Sequence, residues 1–222
     1  MSSALRKNVE VEGKVQAVSD KLAEVNDGLT GQMRDRDLLE HRFAAAIEQE
    51  EAARHAALHD VLTDLPNRAL FDDRLEHELS HAKRNGWSMA VMFIDLDEFK
   101  LLNDSFGHDV GDSVLQAIAS RLRENTRSVD TVSRYGGDEF LFLATQVKVE
   151  AHIIQIAEKL IETVETPYSV SVDDPGMFAT VKASIGIAVF PKDGTTAEAL
   201  LKSADGAMYQ AKQRKAGFAF AR

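Results

Sequence analysis

The chain has 222 residues, 44% hydrophobic and 28% charged, the usage of a folded globular protein rather than a disordered one. Its 26 basic and 36 acidic side chains leave a formal charge of −10, which argues against a general nucleic-acid or anionic-membrane binder, since both need a basic surface. With no cysteine there is no disulfide framework, thiol nucleophile or Cys-ligated metal. No apolar run approaches the roughly 18 to 20 residues a spanning helix needs, and Met1 to Lys7 lacks a signal-peptide core, so a cytoplasmic protein without membrane insertion is expected.

Residues 1–58 contain no Pro, Trp or Tyr. Val11, Val15, Val18, Leu22, Val25 and Leu29 recur at alternating spacings of four and three, which is a heptad seam. Val11, Val18 and Val25 take position d; Val15, Leu22 and Leu29 take a. The same register then meets Gln32 and Arg36, with Gly28 and Gly31 nearby, and recovers at Leu39 and Phe43. A lone helix cannot bury such a stripe, so residues 1–58 are expected to form a parallel coiled-coil homodimer with a soft middle. The competing reading is an amphipathic helix folded back on its own domain.

From His59 the pattern changes to helical and strand-like segments in alternation. His59–Pro66 is a connector, and Asn67 caps a helix to about Arg84, before Gly86. Ser88–Leu96 reads as a buried strand carrying Asp95 at its carboxyl end. Helices follow over about 98–105 and 110–126, then strands Thr131–Tyr135 and Glu139–Ala144, joined by Gly136-Gly137-Asp138 as a hairpin. A helix over Val147–Glu165 precedes strands Tyr168–Val172 and Phe178–Phe190, linked by Asp173-Asp174-Pro175-Gly176. Helix Ala197–Lys215 and a short strand Phe218–Ala221 close the pattern. The order predicts an α/β or α+β domain over 59–222, with helices covering a central mixed sheet.

Two acidic groups terminate apolar strands: Asp95 with Asp97, and Asp138 with Glu139. Carboxylates so placed suit hard divalent cations, which keep positions open for phosphate and water. Gly136 and Gly137 let a bulky phosphate approach the backbone. Lys100 and Lys212 can offset phosphate charge, or simply face solvent. Asn103 and Asp112 can together read a guanine edge, or serve only as an N-cap or a loop hydrogen bond. His55/His59 and His77/His81 have the i, i+4 spacing of zinc ligands, but no third ligand accompanies either pair.

Gly136-Gly137-Asp138-Glu139-Phe140 resembles the signature of GGDEF domains, the diguanylate cyclases. The likeness extends through Asp60-Val61-Leu62-Thr63-Asp64-Leu65-Pro66-Asn67-Arg68, the run Asp95 to Asp104, and Gly107-His108-Asp109-Val110-Gly111-Asp112. It continues through Ser184 to Ala188 and Ala204 to Lys212. The resemblance implies a palm-like fold similar to class III nucleotide cyclases and polymerases. It implies condensation of two GTP into cyclic di-GMP with release of two pyrophosphates, using Mg²⁺ (or Mn²⁺).

Carried over by position, Asp95, the Leu96 carbonyl, Asp138 and Glu139 would form the metal site, with Glu139 either a ligand or the group that activates the 3′-hydroxyl. Asp138, Glu139 and Lys212 would be catalytic. Asn103, Asp112, Lys100, Phe99, Gly136 and Gly137 would bind substrate. Arg127-Ser128-Val129-Asp130 resembles the family's inhibitory R-x-x-D, which implies that cyclic di-GMP is both product and allosteric inhibitor, held by Arg127 and Asp130. Against the pattern, Lys215-Ala216-Gly217 stands where the family has Gly-Arg-Asn, so one phosphate-binding base is missing. Arg214 and Lys215 are its candidate substitutes. The alternative function is a catalytically silent GGDEF domain that acts as a cyclic di-GMP receptor or scaffold.

Overall fold

The computed structural model describes residues 3–170 and 177–222, which divide into two compact units, 1–55 and 56–222. The first belongs to helix α1 (Ser3–Leu58), unbroken through Gly13, Gly28 and Gly31. At 1.5 Å per residue it is roughly 84 Å long. Val11, Val15, Val18, Leu22, Val25 and Leu29 are each more than half exposed, so the apolar seam is uncovered within the single chain.

The second unit contains α2 (Arg68–Asn85), β1 (Ser88–Asp97), α3 (Phe99–Phe106), α4 (His108–Glu124), β2 (Thr131–Gly136), β3 (Glu139–Val147) and α5 (Glu150–Glu165). These are followed by β4 (Tyr168–Ser169), β5 (Phe178–Ala179), β6 (Lys182–Phe190), α6 (Ala197–Arg214) and β7 (Phe218–Phe220). The main sheet has the order β2-β3-β1-β6-β7; all pairs are antiparallel except β6 with β7, so it is mixed as expected. Asn67 caps α2 through its side chain, which accepts from the Leu70 N–H. Gly86 ends the helix in the left-handed conformation.

β1 is central and buried on both faces, which is why its sequence is a continuous apolar run. Its alternate side chains enter two different cores. Ala90, Met92, Ile94 and Leu96 pack with α3, α4 and α5, whereas Met89, Val91 and Phe93 pack with α2 and α6. Asp95 and Asp97 therefore share the parity of the face that carries α6. That helix lies close because Gly186 has no side chain: a Cβ there would meet the Ala204 carbonyl oxygen at 1.9 Å.

Three boundaries differ from expectation. Val147 is not the start of a helix but the last residue of β3, paired with Ser88, and α5 begins at Glu150. The run Phe178–Phe190 is two strands. Phe178–Ala179 pairs with β4 in a separate two-stranded sheet, and the chain crosses at Thr180–Val181 to enter the main sheet as β6. Lys215 is the cap of α6 rather than its last turn. Strand Tyr168–Val172 is seen only over Tyr168–Ser169; residues 171–172 and the Asp173–Gly176 connector lie outside the described residues.

Candidate active site

The acidic groups meet because β1 and β3 are neighbours in the sheet, with Asp95 directly opposite Glu139. Side chains opposite one another in an antiparallel pair share a face and stand about 5 Å apart at Cβ. The Leu96 N–H donates to the Asp138 carbonyl at 3.2 Å, which ties the end of β1 to the Gly136-Gly137 turn. From α6, Lys212 donates to Asp95 Oδ1 across 117 residues of sequence. Asp97 is held by Ser184, whose hydroxyl donates to Oδ1 at 2.9 Å.

One ammonium does not balance this group. Burial, together with the charges of Asp138 and Asp97, pushes the Asp95 carboxyl above its ordinary value despite the bond from Lys212. Glu139 is likewise raised, by burial first and then by Asp95, Asp138 and Asp205. Burial works to lower the Lys212 ammonium, but its bond to Asp95 and the surrounding carboxylates outweigh it and hold the pKa up. Crowded, under-compensated carboxylates at a strand end are the chemistry of a cation site.

Among the described residues no three His, Asp or Glu side chains are already drawn into a closed metal cage. Mg²⁺ needs none, because it binds through one or two carboxylates and completes its shell with phosphate and water. The donor set fits such an ion. The His77 and His81 rings lie 4.5 Å apart as neighbours on α2.

The remaining candidates occupy α3 and α4. Phe99 is buried at the start of α3, and Lys100 is exposed beside it. Asn103 Oδ1 is buried with no hydrogen-bond partner among the described residues. It fits only because residue 111 is glycine: a Cβ on Gly111 would meet that oxygen at 1.8 Å. Asp112, the next residue of α4, is exposed. An orphaned buried acceptor beside an exposed carboxylate is an arrangement a ligand with N–H donors would satisfy.

Arg127 and Asp130 are elsewhere, before β2, separated from the turn by that six-residue strand, roughly 20 Å at about 3.3 Å per residue. Asp130 is buried and accepts from the Thr145 N–H at 2.9 Å, while Arg127 Nε donates to its other oxygen at 2.7 Å. Asp130 thus pins the far end of the β2–β3 hairpin and holds a half-exposed guanidinium in place.

Sequence reasoning gave no role to Arg134. Its Nε and Nη2 both donate to the Gly137 carbonyl, at 3.0 and 2.8 Å, and Nη1 donates to Asp60 at 2.9 Å. Burial alone would raise the Asp60 carboxyl, but the bonds from Thr63 and Arg134 prevail and hold it below the ordinary value. The guanidinium therefore locks the glycine turn to the start of the domain. The available signal was an arginine two residues before a glycine pair, too weak without the fold.

The diguanylate cyclase GGDEF-domain family profile matches residues 57–217, and the chain belongs to that family. It is 46% identical over 165 residues to the bifunctional diguanylate cyclase/cyclic di-GMP phosphodiesterase MucR of Pseudomonas aeruginosa, covering 74% of this chain and 23% of MucR. It is 41% identical over 181 residues to diguanylate cyclase TpbB of the same species, covering 82% of this chain and 41% of TpbB. The chain thus spans less than half of these relatives. The crystal structure of the coiled coil and GGDEF domain of DgcB from Caulobacter crescentus, in complex with c-di-GMP, superposes with a TM-score of 0.72 at 26% identity. That match covers 87% of this chain and 99% of that one.

Proposed function

We propose that this protein is a diguanylate cyclase that joins two GTP into cyclic di-GMP and releases two pyrophosphates, as a homodimer slowed by its own product. The observation that carries the reading is the Asp95–Glu139 cross-strand pair, with Asp138 and Lys212, beside a side-chain-free turn. Asp95, the Leu96 carbonyl, Asp138 and Glu139 are the groups that would hold one or two Mg²⁺ (or Mn²⁺). A bound ion neutralises charge on the attacked α-phosphate and the departing pyrophosphate. In each half-reaction a 3′-oxygen bonds to the α-phosphorus of the facing GTP, the bond to the β-phosphate bridging oxygen breaks, and the hydroxyl proton leaves to Glu139 or solvent.

Lys212 and Lys100 would steady the phosphates, with the first-turn N–H groups of α3 at Phe99 as further anion donors. The free Asn103 oxygen and the Asp112 carboxylate are both acceptors, which matches the N1–H and N2–H₂ donors of guanine and mismatches adenine. Gly111→Ala is therefore expected to act like Asn103→Ala, raising the KM for GTP about tenfold or more with a smaller change in kcat. An unchanged KM would remove Asn103 from the guanine site.

Each domain would hold one GTP, so two must face each other to close the ring. The exposed seam of α1 supports a parallel dimer that supplies the second half-site at high effective concentration. Arg127, steadied by Asp130, is suited to guanine by bidentate bonding and stacking, and would bind the product. The test is incubation of nucleotide-stripped protein with GTP and Mg²⁺, with products identified by mass spectrometry. Cyclic di-GMP is expected, with progress curves that bend for the wild type and stay straight for Arg127→Ala. Binding of cyclic di-GMP without synthesis would replace this reading by the receptor one.

A further inference from the structure

The turn that carries Asp138 has little packing to hold it. A Cβ built on Gly136 or Gly137 would meet nothing within 4 Å among the described residues, and Gly137 is left-handed with φ 54°. The ladder below the turn is interrupted as well. Arg134 pairs with Phe140 and Gly136 with Glu139, so Tyr135 is an extra residue and a bulge precedes the turn. Adjacent glycines give a backbone wide freedom, whereas a cation-binding carboxylate must be held in one direction.

Two carbonyls supply that hold. The Asp138 carbonyl accepts from the Leu96 N–H at 3.2 Å, and the Gly137 carbonyl accepts from Arg134 Nε and Nη2 at 3.0 and 2.8 Å. They belong to the two peptide planes on either side of the Asp138 Cα. With both planes fixed, the φ and ψ of Asp138 are fixed, and so is the direction of its side chain. The arginine is itself aimed. Its Nη1 donates at 2.9 Å to the Asp60 oxygen that also accepts the Thr63 N–H and hydroxyl, and its side chain is only 12% exposed. A planar fork held at both ends keeps one orientation.

We propose that Arg134 is a positioning residue of the cation site: it sets the direction of Asp138 through the Gly137 carbonyl, and Asp60 sets the arginine. The kinetic side of this inference rests on the cyclase reading above; the metal side rests on the carboxylates alone. Arg134 acts through the peptide, so its loss weakens cation binding and the chemical step while the guanine contacts on α3 and α4 stay in place.

Titration of nucleotide-stripped full-length protein with Mn²⁺, read by electron paramagnetic resonance, tests it beside steady-state kinetics with GTP. Thermal melts first establish that every variant is folded at the assay temperature. Arg134→Gln is expected to weaken Mn²⁺ about tenfold or more and to lower kcat by a similar or larger factor, with the KM for GTP changed less than about twofold. Arg134→Lys keeps the charge without the fork and is expected to recover part of both losses. Asp60→Asn is expected to show a smaller loss in the same direction. Wild-type Mn²⁺ affinity in folded Arg134→Gln overturns the inference, whatever the change in Tm. So does a rise in KM with kcat unchanged, or an Arg134→Lys variant no better than Arg134→Gln. Wild-type protein that binds Mn²⁺ but makes no cyclic di-GMP overturns the cyclase reading, and the Mn²⁺ comparison still decides the role of Arg134. Wild-type protein that binds no Mn²⁺ overturns both.

Discussion

Glu139→Gln is expected to reduce cyclic di-GMP synthesis about a thousandfold or more while making the metal-free protein more stable at neutral pH. The two effects share one cause. Glu139 stands opposite Asp95, with Asp138 and Asp205 near enough for their charges to raise it further. A carboxylate forced into that company serves a cation well and the empty fold poorly. Its folded pKa lies above the ordinary 4.5, so its contribution to stability is fully present below 4.5 and is lost as pH rises through the folded value. Glutamine keeps the shape and removes the charge. Thermal melts in chelator should therefore show the variant ahead at about pH 7, with the difference closing below about pH 4. Product analysis by mass spectrometry reads the other arm. A variant that keeps more than about a tenth of wild-type activity would take Glu139 out of the chemistry. One that loses activity and stability together would make it a structural residue.

Val18→Asp combined with Leu22→Asp is expected to yield a monomer whose activity per chain, at micromolar concentration, falls on the order of 100-fold. The seam these residues belong to is exposed along α1, and a single helix gains nothing from holding such a stripe in water. Pairing buries it, and charges at neighbouring d and a positions prevent that pairing. Residues 56–222 form a compact unit of their own, so the substitutions leave the catalytic fold intact. On the proposed reading, ring closure needs two GTP-loaded domains face to face, and without a tether they would have to meet by diffusion. An unrelated parallel coiled coil grafted in the same heptad register should restore activity. Light scattering and product formation, followed over a range of protein concentrations, decide the matter. A monomer with full activity at low concentration would separate catalysis from the helix. A variant that stays dimeric and active would move the dimer contact off the seam.

Much of the domain was legible in order. The apolar run from Ala90 to Ile94 could only be a buried strand, and Asn67 and Gly86 bracket α2 through capping chemistry that acts within a few residues. The misplaced boundaries are those where local pattern is ambiguous. Val147 is as good a helix start as a strand end until Ser88 is placed opposite it. Phe178 to Phe190 reads as one strand until two different partners divide it.

The residue types of the site were present in the chain itself: carboxylates after Ile94 and in the Gly136-Gly137 turn, Asn103 in α3 and Asp112 in α4, and a lysine near the end of α6. Local composition and periodicity determine these, because capping, turn formation and burial of an apolar face act over a few residues. That Asp95 faces Glu139 was decided by strand register, and register depends on which strands become neighbours. That Lys212 reaches Asp95 was decided by close helix–sheet contact at Gly186, and that Asn103 keeps an open acceptor was decided by Gly111. These are relations between segments distant in the chain or packed on different helices. No local signal carries them, since the atoms that impose them meet only after the core has formed.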